Sequence, residues 1–220
     1  MSATAKGGAP AQERELRAQG RKTMRRLLDA AMVVFEKRGF HAARVDDIVK
    51  VAKTSHGTFY LYFANKEDLF RALAHDVGNE ILELTAELGP IGPDDAGYQA
   101  LRVWLARFGE IYRHYGPVIR VWTEAEFEGG AAGRMGTELL TEVTRALARR
   151  IASSPTATDL DPVIAATAFL AMIERFNYYV LSRQIDFSPD DILDTIATLA
   201  HQGLFGGDRT ARNRRASRPA

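Results

Sequence analysis

The chain has no cysteine, so it can form neither a disulfide nor a thiolate metal site. That absence fits a reducing compartment, and a cytoplasmic location is expected. It also lacks an uninterrupted apolar run of membrane length. The longest, Pro162 to Leu181, is broken by Glu174, Arg175 and Asn177. It therefore predicts a helix covered on more than one side, not a membrane span. The N-terminus is polar, so no signal peptide and no membrane partner are expected. Period-two alternation is missing, and with it any strand that could precede a glycine-rich phosphate loop. There is no His-Glu-x-x-His, and Ser153, Ser154 and Ser188 have no suitable histidine nearby in sequence. Glu110 and His114 are four apart on one helix face, but without a second pair they predict a surface hydrogen bond. No metal, no cofactor and no catalytic residue is expected. An enzyme would have to be a helical bundle acting on a hydrophobic substrate without a motif.

A net charge of +1 hides an asymmetry. Residues 1–75 carry about +6, residues 76–208 about −10 and residues 209–220 about +5. A basic head beside an acidic body suggests that only the head meets a polyanion. From Thr23 onward nearly everything has helical periodicity. Nine helices are predicted over roughly 23–38, 44–51, 55–62, 66–88, 96–115, 117–127, 131–153, 160–183 and 189–205. Turn residues separate them, among them Gly39, Asn65, Pro90 to Pro93, Gly116-Pro117, Gly129-Gly130 and Ser188-Pro189. Residues 1–22, with Arg14, Arg17, Arg21 and Lys22, are expected to be a disordered basic arm. A disordered basic tail is expected over 206–220.

The most informative stretch is Val45 to Glu67. Val45, Ile48, Val49 and Ala52 repeat at i, i+3, i+4, i+7 and predict one short helix. A second begins near Thr54-Ser55, where either hydroxyl can cap free backbone N–H groups. Its first turn, His56-Gly57-Thr58, is small and polar. Phe59 and Phe63 are spaced to anchor it inward, while Tyr60 and Tyr62 can point outward. A short helix with a buried back and a polar, tyrosine-bearing front suits a DNA major groove. Lys66 opens the next helix, where its charge opposes the helix dipole. A contact with a phosphate would explain it.

These residues resemble the tetracycline-repressor (TetR) family of bacterial transcriptional regulators. The resemblance runs through Leu27-Leu28-Asp29-Ala30-Ala31, Val34-Phe35, Gly39-Phe40, Ser55-His56-Gly57-Thr58-Phe59-Tyr60, Tyr62-Phe63 and Asn65-Lys66-Glu67-Asp68-Leu69-Phe70. Two positions depart from the family pattern. Lys53 stands where glycine is usual, so a left-handed backbone there would carry strain. Ala43-Arg44 replaces the usual Ser/Thr cap of the first short helix. The resemblance implies an all-α, TetR-like fold of nine helices. A three-helix helix-turn-helix head occupies residues 23–70, and a ligand-binding and dimerisation body residues 71–205. Implied DNA-binding residues are Arg44, Thr54, Ser55, His56, Gly57, Thr58, Tyr60, Tyr62 and Lys66.

In the body, aromatic residues recur at helical spacing. Such stripes either form plain core or enclose a cavity. The family uses this region as a small-molecule pocket, which implies a ligand lining of Trp104, Phe108, Trp122, Phe169, Met172, Phe176 and Tyr179. So apolar a list predicts a hydrophobic effector, such as a lipid-like acid, a sterol-like ring system or a planar drug. Glu126, Glu174 and Asn177 are either its polar groups or surface residues. The resemblance also implies a homodimer through the last two helices, with Leu170, Leu181, Ile192, Ile196, Leu199 and Leu204 at the interface. Two-fold symmetry matches a palindromic operator in double-stranded DNA. The expected function is a ligand-responsive transcriptional regulator, most simply a repressor.

Overall fold

The computed structural model describes residues 11–128, 131–154, 160–183 and 187–206, with the side chains of 18–121, 137–154, 160–180 and 187–206. These residues form eight helices: α1 Ala11–Ala42, α2 Val45–Val51, α3 His56–Tyr62, α4 Lys66–Glu87, α5 Asp95–Glu128, α6 Ala131–Ala152, α7 Pro162–Arg183 and α8 Pro189–Leu204. No strand occurs among the described residues, so the fold is all-α as expected.

The helix count differs from nine because α5 runs straight through Gly116-Pro117. A proline inside a helix removes one N–H and crowds the carbonyl four residues back. Here that carbonyl belongs to Arg113, on an exposed turn. Tyr112, Tyr115, Val118 and Ile119 are buried on both sides of the proline, so packing holds the helix together. At the other end of the chain, α1 begins at Ala11 and not at Thr23. Residues 11–22 of the expected disordered arm are therefore helical. Residues 1–10, and 207–220 of the expected tail, lie outside the described residues. Gly39 acts as the turn its composition suggested: it adopts φ 72° and kinks the last turn of α1.

The chain divides into two compact units after Leu73, three residues beyond the expected boundary. In the first, α1 buries Leu27, Leu28, Ala31, Val34 and Phe35, while Ile48, Val49, Phe59, Phe63 and Leu69 come from the short helices and the start of α4. The Phe40 ring lies tilted at 4.8 Å from Phe70 and edge-on at 5.3 Å from Phe35, which closes this small core.

In the second unit α5 is the hub and packs on α6, α7 and α8. Leu101, Trp104, Leu105, Phe108 and Tyr112 of α5 are all buried. Just before α5, Ile91 is also buried in a short loop. The loop is pinned by Ser154 Oγ donating to the Ile91 carbonyl at 2.7 Å and by His201 Nε2 at 2.9 Å from the Gly92 carbonyl. Gly97 makes this fit possible, because a Cβ there would stand 2.1 Å from the Gly92 oxygen. Gly97→Ala is expected to lose about 1–3 kcal/mol by overpacking against backbone that cannot yield. Gly203→Ala is the control: beyond the adjoining backbone of its own helix nothing lies within 4 Å of its Cβ position, and thermal melts should show it neutral or stabilising.

Candidate functional site

Helices α2 and α3 present the candidate nucleic-acid interface. The tight turn between them depends on Lys53, which adopts φ 50°. The left-handed backbone expected at this position is thus present on a side chain that disfavours it. Of the two candidate hydroxyls, Ser55 is the cap of α3: its Oγ accepts the Thr58 N–H at 3.1 Å and lies 3.0 Å from Thr58 Oγ1. At the start of α2, Arg44 contributes no side-chain cap. Its backbone N–H instead donates to Asp47 Oδ2 at 3.3 Å, and Asp47 is held by Arg38 at 3.4 Å. A carboxylate three residues into the helix thus partly replaces the missing Ser/Thr.

With Phe59 and Phe63 buried, α3 exposes Ser55, His56, Gly57 and Tyr60. His56 is tied to α2, with Nε2 2.6 Å from Asp46 Oδ1. An ionised carboxylate only accepts, so Nε2–H donates. Thr54 and Thr58 are half-buried, and Arg44 is exposed at the foot of α2.

Two expected interface residues behave differently. Tyr62 does not point outward. It is half-buried, and its hydroxyl lies against α1 at Gly20, where a Cβ would stand 3.4 Å from it. Lys66 is turned inward as well. Its Nζ donates to the carbonyls of Phe40 at 2.8 Å, Ala43 at 3.1 Å and His41 at 3.3 Å, and sits 4.5 Å from the Phe40 ring centroid. An ammonium has three N–H donors, and all three are used. These bonds cap the α1 C-terminus, where carbonyls lack helical partners and favour a cation. In the other direction, Leu61 escaped notice in the sequence. It is 81 % exposed on α3, one turn on from Gly57 and beside Tyr60. Its strong exposure is the signal, and no periodicity argument reveals it.

Helix α4 starts with Asn65 Oδ1 accepting the Asp68 N–H at 2.7 Å, while Asp68 Oδ2 accepts the Ala64 N–H at 3.0 Å. That bond and the neighbouring Arg71 hold the Asp68 carboxyl below its ordinary pKa.

In the body, Trp104, Phe108 and Phe169 do come together. Trp104 stacks on Phe108 at 5.4 Å and lies 5.8 Å from Phe169. Phe176 is half-buried, but Met172 and Tyr179 are exposed and do not join this interior. The line of α7 that faces the core runs through Ala166, Phe169, Leu170 and Ile173, and the run Phe169, Met172, Phe176, Tyr179 slides off its edge. The Trp122 and Leu181 side chains, and that of Glu126, lie outside the described ones. Glu174 accepts a hydrogen bond from the Tyr112 hydroxyl at 3.1 Å. Burial, reinforced by the Glu174 charge, pushes the Tyr112 phenol well above its usual range. Asn177 donates to the Ile173 carbonyl of its own helix. Glu110 pairs with Arg113 at 2.6 Å, and no cluster of three metal-ligating side chains occurs among the described residues.

The expected dimer residues separate in the same way. Leu170 and Ile196 are buried inside the chain and are core, because they lie on the lines of α7 and α8 that face α5. Leu199 is 60 % exposed, and Ile192 and Leu204 are half-buried. Ile164, Ala168, Ala171, Met172 and Tyr179 continue the exposed apolar line along α7. None of the described helices is long and apolar enough to cross a membrane.

Residues 27–73 match the model of bacterial regulatory proteins of the tetR family. The HTH-type transcriptional regulator YdgC of Bacillus subtilis is 41 % identical over 73 residues, which are 33 % of this chain and 37 % of YdgC. The chain thus spans little more than a third of that relative. Over its length it shares the fold of FadR from Bacillus subtilis, solved in complex with stearoyl-CoA, at a TM-score of 0.64 and 19 % identity. That likeness covers 81 % of this chain and 97 % of FadR. Salmonella enterica GusR is similar at a TM-score of 0.68 and 21 % identity, over 84 % of this chain and 95 % of its own. The head, residues 27–73, thus carries the sequence of the tetR family of bacterial regulatory proteins, and the helical body that follows has the fold of FadR and GusR.

Proposed function

We propose that the protein is a cytoplasmic, homodimeric repressor that reads a palindromic operator with α3 and is released by a hydrophobic small molecule bound in the body. The observation that carries the DNA-binding part is the two-sidedness of α3. Phe59 is fully buried beneath it, while Ser55, His56, Gly57, Tyr60 and Leu61 stand exposed on a helix short enough to enter a groove. The basic balance of residues 1–75 supports the same partner. The aromatic interior around Trp104 supports an apolar effector, as does the acyl-CoA bound by the FadR relative.

Release needs only differential affinity. One state spaces the two reader helices about 34–36 Å apart, one turn of DNA. A ligand that binds the other state about a hundredfold better shifts the balance by roughly 2.7 kcal/mol. Helix α4 is continuous across the division after Leu73 and is the covalent route for that coupling.

Selection from a random duplex library followed by gel shift tests the reading. A palindromic site with steep salt dependence is expected. Tyr60→Ala should weaken binding to it about tenfold. Recovery of no preferred sequence, or equal binding to random duplexes, would remove the operator.

A further inference from the structure

The interior of the body contains a hydrogen-bond donor with no partner among the described residues. The Trp104 side chain is 2 % exposed, and its indole N–H has no acceptor among the described residues. Buried polar groups are nearly always partnered, so an exception calls for a physical reason. Ordered water is a poor one here, because a buried water needs two to four polar partners. The ring neighbours of Trp104 are Phe108, stacked at 5.4 Å and 20°, and Phe169 at 5.8 Å and 34°. Several polar groups along α5 and α7 bond elsewhere: the Tyr112 hydroxyl to Glu174, the Tyr115 hydroxyl to Glu80, the Asn177 Nδ2 to the Ile173 carbonyl. A phenylalanine would serve as apolar filling without stranding a donor.

The charges nearby say what kind of acceptor suits this N–H. Arg102 is held by Asp190 and Asp194, Arg107 by Glu87, and Arg113 by Glu110. Arg175 stands beside Glu174, and the charges of Arg120 and Arg175 are felt at the Tyr112 phenol, two turns along α5. A carboxylate brought to Trp104 would meet one neutral donor and no uncommitted cation among these, and burying an unpaired charge is strongly disfavoured. A neutral carbonyl asks for a single hydrogen bond and carries no charge to desolvate. The stacked rings fix the indole plane and so the direction of the N–H, which reads an acceptor at one place on the ligand.

We infer that the Trp104 indole N–H is the polar anchor for an apolar effector bearing a neutral carbonyl, a ketone or an ester and not a free acid. This rests on the reading of the body as the effector site and narrows it to one chemical class.

Two measurements on the full-length protein test it. In the first, ¹⁵N-labelled protein is titrated with 2-dodecanone, dodecane and laurate, and with α-tetralone, tetralin and 1-naphthoate. The two indole N–H resonances are told apart with Trp122→Phe. In at least one series the ketone should move the Trp104 resonance downfield and bind about tenfold or more tighter than its hydrocarbon and its acid. In the second, Trp104 is replaced by 3-benzothienylalanine, which keeps the outline of the ring but exchanges N–H for sulfur. That replacement should erase the ketone preference and, without ligand, raise the thermal midpoint, since the stranded donor is gone. A resonance unmoved by all six compounds, a hydrocarbon or acid bound as tightly as its ketone in both series, or a lowered midpoint would each overturn the assignment. Gel shifts with the selected operator run in parallel. A compound that releases DNA without moving the Trp104 resonance leaves the repressor standing and removes Trp104 from its effector site. Failure to bind any selected DNA removes the repressor and leaves the resonance and melting results to be judged on their own.

Discussion

Leu199→Arg is expected to break the proposed dimer and lower operator affinity by roughly a hundredfold or more, since joining two binding modules raises avidity by about 10²–10⁴. The residue is 60 % exposed in the single chain, so an arginine there costs the folded protomer little. In the dimer it would be buried without a partner, which is strongly unfavourable. Ile164→Arg, on the exposed line of α7, should behave alike. Ile196→Arg is the contrasting case. Ile196 is 6 % exposed within the chain, so its replacement should unfold the body instead of merely separating protomers. Sedimentation and gel shift together decide the matter: a Leu199→Arg protein that stays dimeric and binds operator normally rules this face out.

Lys66→Met should reduce the stability of the head by about 1.5–3 kcal/mol, the usual contribution of a hydrogen bond to a charged group. Three carbonyls at the end of α1 would lose their common donor, and methionine keeps the stem that packs near Phe40. Hydrogen exchange should show the loss at the C-terminal turn of α1. Operator affinity should fall for all sequences, because the base on which α2 and α3 rest has loosened. The slope of affinity against salt should stay as it was, whereas loss of a phosphate contact would reduce it by about one unit. A reduced slope with unchanged stability would return Lys66 to the phosphate.

Both predictions turn on residues whose type was legible in the sequence but whose direction was not. Lys66 is conspicuous at a helix start, and a cation there invites a phosphate. The carbonyls it meets are 23 to 26 residues away and close only when α1 and α4 pack. Tyr62 has the same history: a tyrosine in a reader helix looks outward until α1 lies beside it. The stripe from Phe169 to Tyr179 reads as one face because spacing alone ignores how the buried line of α7 is set by α5. Gly116-Pro117 reads as a break because local rules count the missing N–H and not the buried residues on either side.

What the amino-acid sequence determined by itself is whatever depends on contacts within one or two turns. That covers the helical class, a hydroxyl cap at Thr54-Ser55 and the turn at Gly39. It also covers the small polar front and aromatic back of α3, because neighbouring residues and elementary dihedral sterics settle these before any distant part of the chain arrives. Tertiary structure alone decided which of the apolar residues of α7 and α8 are core and which stay exposed, and which cation caps a helix instead of facing solvent. It alone brought Trp104 against Phe169 with its N–H unsatisfied among the described residues. Each of these depends on partners far along the chain, and helical periodicity says which residues share a face without saying what that face will meet.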